Sequence, residues 1–227
     1  FYAGYAGCTI GLTRTIINTS GAIVGTEASI GATPRSGLGG APVGVNALFY
    51  GGAFYCICTA YNIVTRINSS GAQVGSNGTV GTARVQVAGA PVGVNGLFYG
   101  GQSILNVISK LVTRINACGA LVGTETSVGT VRYGMGGAKA GAVGVFYAGD
   151  TTACVLSSLT TRINACGAIV GTEAAIGTAR TLSAGGTANA IAVFYAGTVG
   201  AIKQNLVTRI NACLLYTSPS PRDLSTS

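Results

Sequence analysis

Four arginines that recur at one point of the sequence have the clearest capacity for ligand chemistry. Each ends the motif Gly-Thr-Ala-Arg or a near variant of it. A guanidinium group is planar, so it can bind a carboxylate or a phosphate through two charge-assisted hydrogen bonds. A fold that brought the four side chains together would create a site for an acidic ligand. The residues are Arg35, Arg84, Arg132 and Arg180.

The acidic residues give little support for catalysis. The sequence has no His, the commonest general base. Glu27, Glu125 and Glu173 occupy one position in successive repeats of the sequence, so we expect them on separate structural units. A glycosidase needs two carboxyl groups within about 5–10 Å of each other, which such positions do not provide. We predict no catalytic residue and interpret each Glu as a turn or strand-edge residue.

The cysteines do not form a recognisable metal motif. Cys118 and Cys166 stand at a turn position that earlier repeats fill with Ser. Cys56 and Cys58 form an isolated C-x-C pair, whereas structural zinc takes four ligands. We therefore predict free thiols, no metal site and no cofactor.

The elements that position these residues are copies of one repeat. The pair Phe-Tyr recurs every 48 or 49 residues, and Thr-Arg-Ile-Asn keeps the same order and phase relative to it. The Phe-Tyr pairs begin at Phe1, Phe49, Phe98, Phe146 and Phe194. The Thr-Arg-Ile-Asn motifs end at Asn68, Asn116, Asn164 and Asn211, and a variant ends at Asn18.

One repeat is typical of four short strands. Residues 35–46 are small and apolar, residues 47–52 form an aromatic segment ended by two glycines, and residues 63–68 alternate apolar with polar. A turn at 69–71 leads to a fourth strand that begins at Ala72. Four strands per unit without helical periodicity predict an all-β fold, a β-propeller built of blades. A parallel β-solenoid is the alternative, although its coils are usually shorter.

The motifs Pro34-Arg-Ser-Gly37 and Leu48-Phe-Tyr-Gly-Gly52, with Ile67-Asn68 ending the third strand, resemble the kelch repeat family. That family also has a Trp in its fourth strand. The sequence has no Trp, and valines stand in its place at Val24, Val74, Val122 and Val170. The resemblance implies a kelch-like propeller with four-stranded blades. Kelch propellers close with six or seven blades, so we expect an incomplete ring here.

The same phase divides the chain into units. Residues 1–212 are kelch-like repeats, with a partial blade at 1–34 and full blades at 35–83, 84–131 and 132–179. A partial blade at 180–212 lacks its outer strand. Residues 213–227 leave the phase and include Ser-Pro-Ser-Pro-Arg-Asp. They resemble a translated sequencing adapter, so we predict a non-native tail; a natural Ser/Pro-rich linker is the alternative.

The charge pattern limits the classes of partner. The formal net charge is +8, but the basic residues are spread at one or two per repeat without a cluster. We therefore expect no nucleic-acid partner. The uncharged stretch 36–65 contains several glycines and Asn46 and Asn62. We interpret it as buried strands and predict no membrane span.

The resemblance implies that the four recurring arginines lie near the mouth of the central channel, where each outer strand leads into the next innermost strand. The hypothesis is that they bind an acidic sugar or an acidic peptide loop. The alternative is that each Arg holds neighbouring blades together through backbone carbonyls.

The segments between the second and third strands vary most between repeats, and recognition often lies in such loops. They are 53–62, 102–110, 150–158 and 198–205. We predict a non-catalytic module that binds protein or glycan, and its Gly-, Thr- and Asn-rich repeats resemble those of phage and microbial surface proteins. A fragment of a propeller enzyme, of the oxidase or sugar mutarotase type, is one alternative. A structural repeat spacer is the other.

Overall fold

The computed structural model describes residues 2–6, 9–18, 20, 22–24, 28–29, 33–54, 58–152, 155–213 and 216–217. These residues form antiparallel β-sheets arranged as a four-blade β-propeller, which confirms the all-β prediction. Within these ranges, no helix has the length and apolar character needed to cross a membrane.

A small sheet comes first along the chain, and four larger sheets, named blades 1 to 4, follow it. The small sheet consists of β1 (Tyr2–Ala6), β2 (Thr9–Arg14) and β3 (Ala28–Ser29). Blade 1 consists of β4 (Ser36–Val43), β5 (Asn46–Phe54), β6 (Thr59–Ala60), β7 (Ile63–Asn68) and β8 (Gly78–Thr79), and β6 pairs only with β5.

Blades 2 and 3 each have four strands in sequence order. Blade 2 consists of β9 (Ala88–Val92), β10 (Asn95–Tyr99), β11 (Leu111–Asn116) and β12 (Thr126–Ser127). Blade 3 consists of β13 (Gly136–Ala140), β14 (Val143–Tyr147), β15 (Leu159–Ile163) and β16 (Ala174–Ala175).

Blade 4 has an extra hairpin inside it. Its sheet consists of β17 (Ala184–Ala188), β18 (Ile191–Tyr195), β21 (Val207–Ile210) and β22 (Tyr216–Thr217), and the hairpin consists of β19 (Thr198–Val199) and β20 (Ile202–Lys203).

In blades 1 to 3 the outer strand is shorter than the sequence predicts. In blade 1 we expect a fourth strand from Ala72, but β8 contains only Gly78 and Thr79. Before it, Gln73 forms a single bridge with Ile67. Gly75 then adopts a left-handed conformation with φ +67°, which ends the extended segment.

The hydrophobic core lies between blades, because residues on alternate sides of a strand face different neighbours. One side of blade 1, with Leu48 and Tyr50, packs against Phe98 and Ile115 of blade 2. The Tyr50 and Phe98 rings are 5.2 Å apart, and the same pair recurs between the later blades as Tyr99–Phe146 and Tyr147–Phe194. Each blade therefore depends on the next one for its apolar contacts.

The innermost strands approach so closely that side chains do not fit between them. A Cβ added at Gly89 of β9 would overlap the backbone of Gly40 in β4, and one added at Gly137 of β13 would overlap the backbone of Gly89. This close approach explains why the first strand of each repeat is rich in glycine.

The segment after Asn211 keeps the repeat's first turn. Ile210 pairs with Tyr216 six positions later, as Ile115 pairs with Leu121 in blade 2. β22 therefore corresponds to the single bridge at Leu121 of blade 2, and not to β12, the outer strand of that blade. Of residues 213–227, only Cys213, Tyr216 and Thr217 lie within the described ranges. The domain boundaries and the non-native tail stay predictions.

Candidate functional site

The four predicted site arginines are all buried. Between 0 and 1% of each residue is exposed to solvent. Arg84 shows the arrangement: Nη1 donates hydrogen bonds of 2.6 and 2.9 Å to the carbonyl oxygens of Gly100 and Leu111, where β10 ends and β11 begins. Nη1 of Arg35 and of Arg132 binds two carbonyls in the same way. Arg180 donates to the Phe194 carbonyl through Nη2 at 3.2 Å.

A Thr and a Glu complete the surroundings of the guanidinium in blade 2. Nη2 of Arg84 donates to the Thr113 hydroxyl and lies 3.3 Å from Oε1 of Glu125. The Thr113 hydroxyl donates to Glu125, and so does the Thr82 hydroxyl at 2.6 Å. Arg132, Thr161, Glu173 and Thr130 repeat this network in blade 3.

The network sets the protonation of its carboxylates. Burial alone would raise the pKa of Glu125, but hydrogen bonds from Thr113 and Thr82 and the charge of Arg84 outweigh burial, so the pKa lies below its ordinary value. The pKa of Glu173 is lowered for the same reasons. Both carboxylates are therefore ionised near neutral pH and act as partners of an arginine.

Blade 1 replaces this carboxylate by an amide. The Thr65 hydroxyl receives a hydrogen bond of 2.6 Å from Arg35 and donates one of 2.9 Å to Oδ1 of Asn77. Glu27, the corresponding acidic residue of the first repeat, lies outside the described residues.

The arginines also join one blade to the next. The guanidinium carbon of Arg84 lies 5.7 Å from the ring centre of Tyr50 in blade 1, a cation–π contact. The Arg84 backbone carbonyl accepts a hydrogen bond from the amide of Gly52, also in blade 1. Arg132 and Arg180 contact Tyr99 and Tyr147 in the same way. The carbonyls that the Arg84 guanidinium binds, those of Gly100 and Leu111, belong to its own blade. The geometry therefore supports the alternative interpretation in part: the arginines join neighbouring blades, but through the tyrosine rings and through their own backbone carbonyls.

The opening at the start of the innermost strands is lined by other residues. A cavity of about 210 Å³ there is bounded by Gly37, Gln86, Gly134 and Leu182, each two residues after one of the arginines, and by their neighbours in sequence. The four residues share a left-handed conformation, and the amides of Gln86, Gly134 and Leu182 donate to the carbonyl of the equivalent residue one blade earlier. The expectation that guanidinium groups line this mouth therefore has no support from the geometry.

The variable loops lie at the same end of the blades as the arginines. In blade 2, Gln102 at the start of the loop forms bridges with Val85, next to Arg84, and with Ile108. Asp150 forms the corresponding bridges with Tyr133 and Leu156 in blade 3. The loops of blades 2 and 3 are therefore fixed at their bases.

The loop tips expose apolar side chains. Leu105 is 82% exposed and Val107 is 67% exposed, both in the loop of blade 2. Val155 and Ile202 are also largely exposed in the loops of blades 3 and 4. Large exposed apolar side chains carried on a fixed backbone are typical of a recognition surface. We call the surface formed by the loops 102–110, 150–158 and 198–205 the loop face.

A second cavity opens beside the loop of blade 2. Its volume is about 420 Å³, and it lies between that loop, the chain before Arg84 and the outer strand. Sequence reasoning placed the loop as variable but did not single out this cavity. In the sequence, the one feature that points to this cavity is Lys110, because it stands at the end of the loop and the chain has only three lysines. The lining residues that we use below are Thr82, Ser103, Val107, Ser109, Lys110 and Val131.

The other candidate residues do not converge. Cys58, Cys118, Cys166 and Cys213 are exposed cysteines outside any disulfide bond, and Cys56 lies outside the described residues. Within the described ranges, no three His, Cys, Asp or Glu side chains lie close enough to hold a metal ion.

No protein-family model matches the chain, and no curated protein is significantly similar to it. The kelch-like assignment therefore stays a prediction from the sequence.

Proposed function

We propose that this protein is a non-catalytic binding module, with kelch-like blades, that recognises protein or glycan ligands through its loop face. The observation that carries the proposal is the exposure of Leu105, Val107, Val155 and Ile202 at the loop tips, on loops whose bases are bridged to the blades. A constant scaffold with loops of different sequence suits recognition of an external partner. Attachment in a phage or microbial surface protein is the setting that we propose.

The state of the acidic residues supports a role without catalysis. Glu125 and Glu173 are each bound to two Thr hydroxyls and one Arg, and each lies in a different blade. Carboxylates held in this way are ionised partners of a guanidinium rather than proton donors. A propeller enzyme would require reactive groups elsewhere.

The test compares two pairs of exposed valine or leucine residues. The labelled chain is applied to an array of glycans and to a library of displayed peptides, and each ligand found is measured again with two double variants. Leu105→Ser with Val107→Ser alters the loop face, and Val45→Ser with Val94→Ser alters the turns at the opposite ends of the strands.

We expect the loop variant to weaken binding by about tenfold or more, as for central contact residues, and the turn variant to change it by less than about twofold. Equal weakening by the two variants would contradict a loop-face site. The absence of any ligand in both collections would favour the structural spacer.

A further inference from the structure

We propose that the cavity beside the loop of blade 2 binds a carboxylate-bearing sugar, with Lys110 as the cation that receives the carboxylate. The cavity holds about 420 Å³, which is within the range of small-ligand sites and twice the size of the cavity at the mouth. This inference rests on the proposed binding role of the loop face and names a ligand class for one part of it.

The position of Lys110 makes it available to a ligand. Its side chain is exposed, it lines the cavity, and no carboxylate among the described residues forms an ion pair with it. Its backbone is fixed, because the Lys110 carbonyl accepts a hydrogen bond of 3.0 Å from the amide of Val128. The Lys110 side chain therefore starts from a fixed point at the edge of the cavity.

The hydroxyl groups in the cavity offer donors. The Ser103 oxygen accepts hydrogen bonds from the amides of Leu105 and Val107, and the Ser109 oxygen accepts one from the amide of Leu111. Because both oxygens accept bonds from the protein, their hydroxyl protons remain for an acceptor outside it. Lys110, Ser103 and Ser109 are thus donor groups in the cavity, and no carboxylate is among its described lining residues. Arg84 also lines the cavity, but its guanidinium is already bound inside the blade.

The other residues that line the cavity favour the binding of a sugar rather than of a simple anion. Val107 and Val131 provide apolar surface of the kind that packs against the C–H face of a pyranose ring. The Thr82 hydroxyl donates to Glu125, so its lone pairs can accept a bond from a ligand hydroxyl. Donors for a carboxylate, an acceptor for a hydroxyl and an apolar wall together match an acidic sugar.

The repeat offers a built-in comparison at this position. Ser158 of blade 3 is the counterpart of Lys110, since its carbonyl accepts the same bond from the outer strand, from Ile176. Asn62 of blade 1 is a second counterpart, with a bond from Val80, and Asn205 holds the same position in blade 4. Only blade 2 has a cation here, so we infer that the acidic ligand is specific to blade 2.

The experiment uses isothermal titration calorimetry on the full chain with a galacturonic acid trimer and, as the neutral control, a glucose trimer. We expect binding of the acidic trimer alone, weaker at about 300 mM than at about 20 mM NaCl, because salt screens the pairing with Lys110. Lys110→Ser, which installs the residue of blade 3, should weaken binding about tenfold or more.

One further variant separates a specific site from a general effect of charge. Lys203→Ser removes another exposed loop lysine that does not line the cavity and should change the affinity by less than about twofold. Thermal unfolding of each variant checks that the fold is kept.

Several outcomes would overturn the inference. One is equal affinity for the acidic and neutral trimers, and another is equal weakening by Lys110→Ser and Lys203→Ser. If a glutamate oligomer binds through Lys110 and the galacturonic acid trimer does not, the sugar assignment is wrong. If neither binds while array ligands still depend on Leu105 and Val107, this site fails and the binding role of the loop face stands.

Discussion

Blades 3 and 4 contain the same sequence motifs, but several residues that are buried in blade 3 have equivalents in blade 4 that are exposed to solvent. Tyr147 of blade 3 is fully buried, whereas the equivalent Tyr195 of blade 4 is 52% exposed. Tyr147 is covered by Phe194 and by the guanidinium of Arg180, both from blade 4. The innermost strands differ in the same way, since β13 is largely buried and every residue of β17 is exposed.

The comparison shows where the stability of a repeat comes from. The internal hydrogen bonds of the two sheets are alike, because β17 pairs with β18 as β13 pairs with β14. The difference is the neighbour that packs on the outer side. In repeat proteins the stability is roughly the sum of unit terms and of nearest-neighbour interfaces, and here the interface contains most of the apolar contacts.

Replacing the two equivalent tyrosines should give the largest difference in stability loss between blades 3 and 4. Tyr147→Ala should lower the free energy of unfolding by about 3–5 kcal/mol, because it removes a buried aromatic ring and its contact with Phe194. Tyr195→Ala should cost less than about 1 kcal/mol, because half of that ring is already exposed. Urea unfolding of both variants measures the difference, and similar losses would break the comparison.

Two glycines of the innermost strands, at non-equivalent positions in blades 3 and 4, should show a smaller effect of packing. A Cβ at Gly137 would overlap the backbone of Gly89, so Gly137→Ala should cost about 1–3 kcal/mol through overpacking. A Cβ at Gly186 would have no atom within 4 Å, so Gly186→Ala should be nearly neutral. Thermal unfolding distinguishes the two. Equal melting temperatures would mean that the innermost strands are farther apart than described.

Acid should weaken the interior blades through Glu125 and Glu173. Both carboxyls have a lowered pKa in the folded protein, so their stabilisation is fully present above the unfolded pKa, about 4.3 for Glu. It is lost as the pH falls through the lower folded pKa. We expect stability to decrease below about pH 4.3, and a Glu125→Gln, Glu173→Gln double variant to lose less over that range.

Chemical denaturation at a series of pH values measures this dependence. Asn77 provides the reference, because blade 1 already has an amide at the corresponding position and its Thr65 bond does not titrate. A double variant with the same acid sensitivity as the unchanged chain would contradict the assignment to these two carboxyls.

The sequence predicts the units of the fold well, because its motifs reflect contacts within one repeat. Phe98 and Phe146 mark the second strand of each blade, and Asn116 marks a turn in which its side chain accepts hydrogen bonds from the amides of Cys118 and Ala120. These interactions span few residues, so one copy of the motif contains both partners. The four-stranded blades and the all-β class follow from them.

The role of the arginines is harder to read, because their partners are distant in the sequence. Arg84 is 29 residues from Thr113 and 41 residues from Glu125. The repeat shows that these residues recur, but recurrence does not say whether a guanidinium faces solvent or a buried Thr. Four of the thirteen basic residues are buried in this way, which reduces the basic surface that the net charge of +8 implies. The expectation of no nucleic-acid partner stays a prediction.

The residues at the mouth of the propeller show the same limit, because their conformation depends on hydrogen bonds to other blades. Gly37 and Gly134 adopt the left-handed conformation that glycine favours, but Gln86 and Leu182 adopt it too. Only the hydrogen bonds between equivalent residues of successive blades account for it.

The central claim is that the recurring arginines hold the blades together. The most direct test is urea unfolding of the Arg84→Gln, Arg132→Gln double variant. We predict a loss of about 3 kcal/mol or more, since Glu125 and Glu173 would remain partly buried without their partners. A variant that unfolds at the same urea concentration as the unchanged chain, but no longer binds an acidic ligand, would contradict the account and place these guanidinium groups in a binding site.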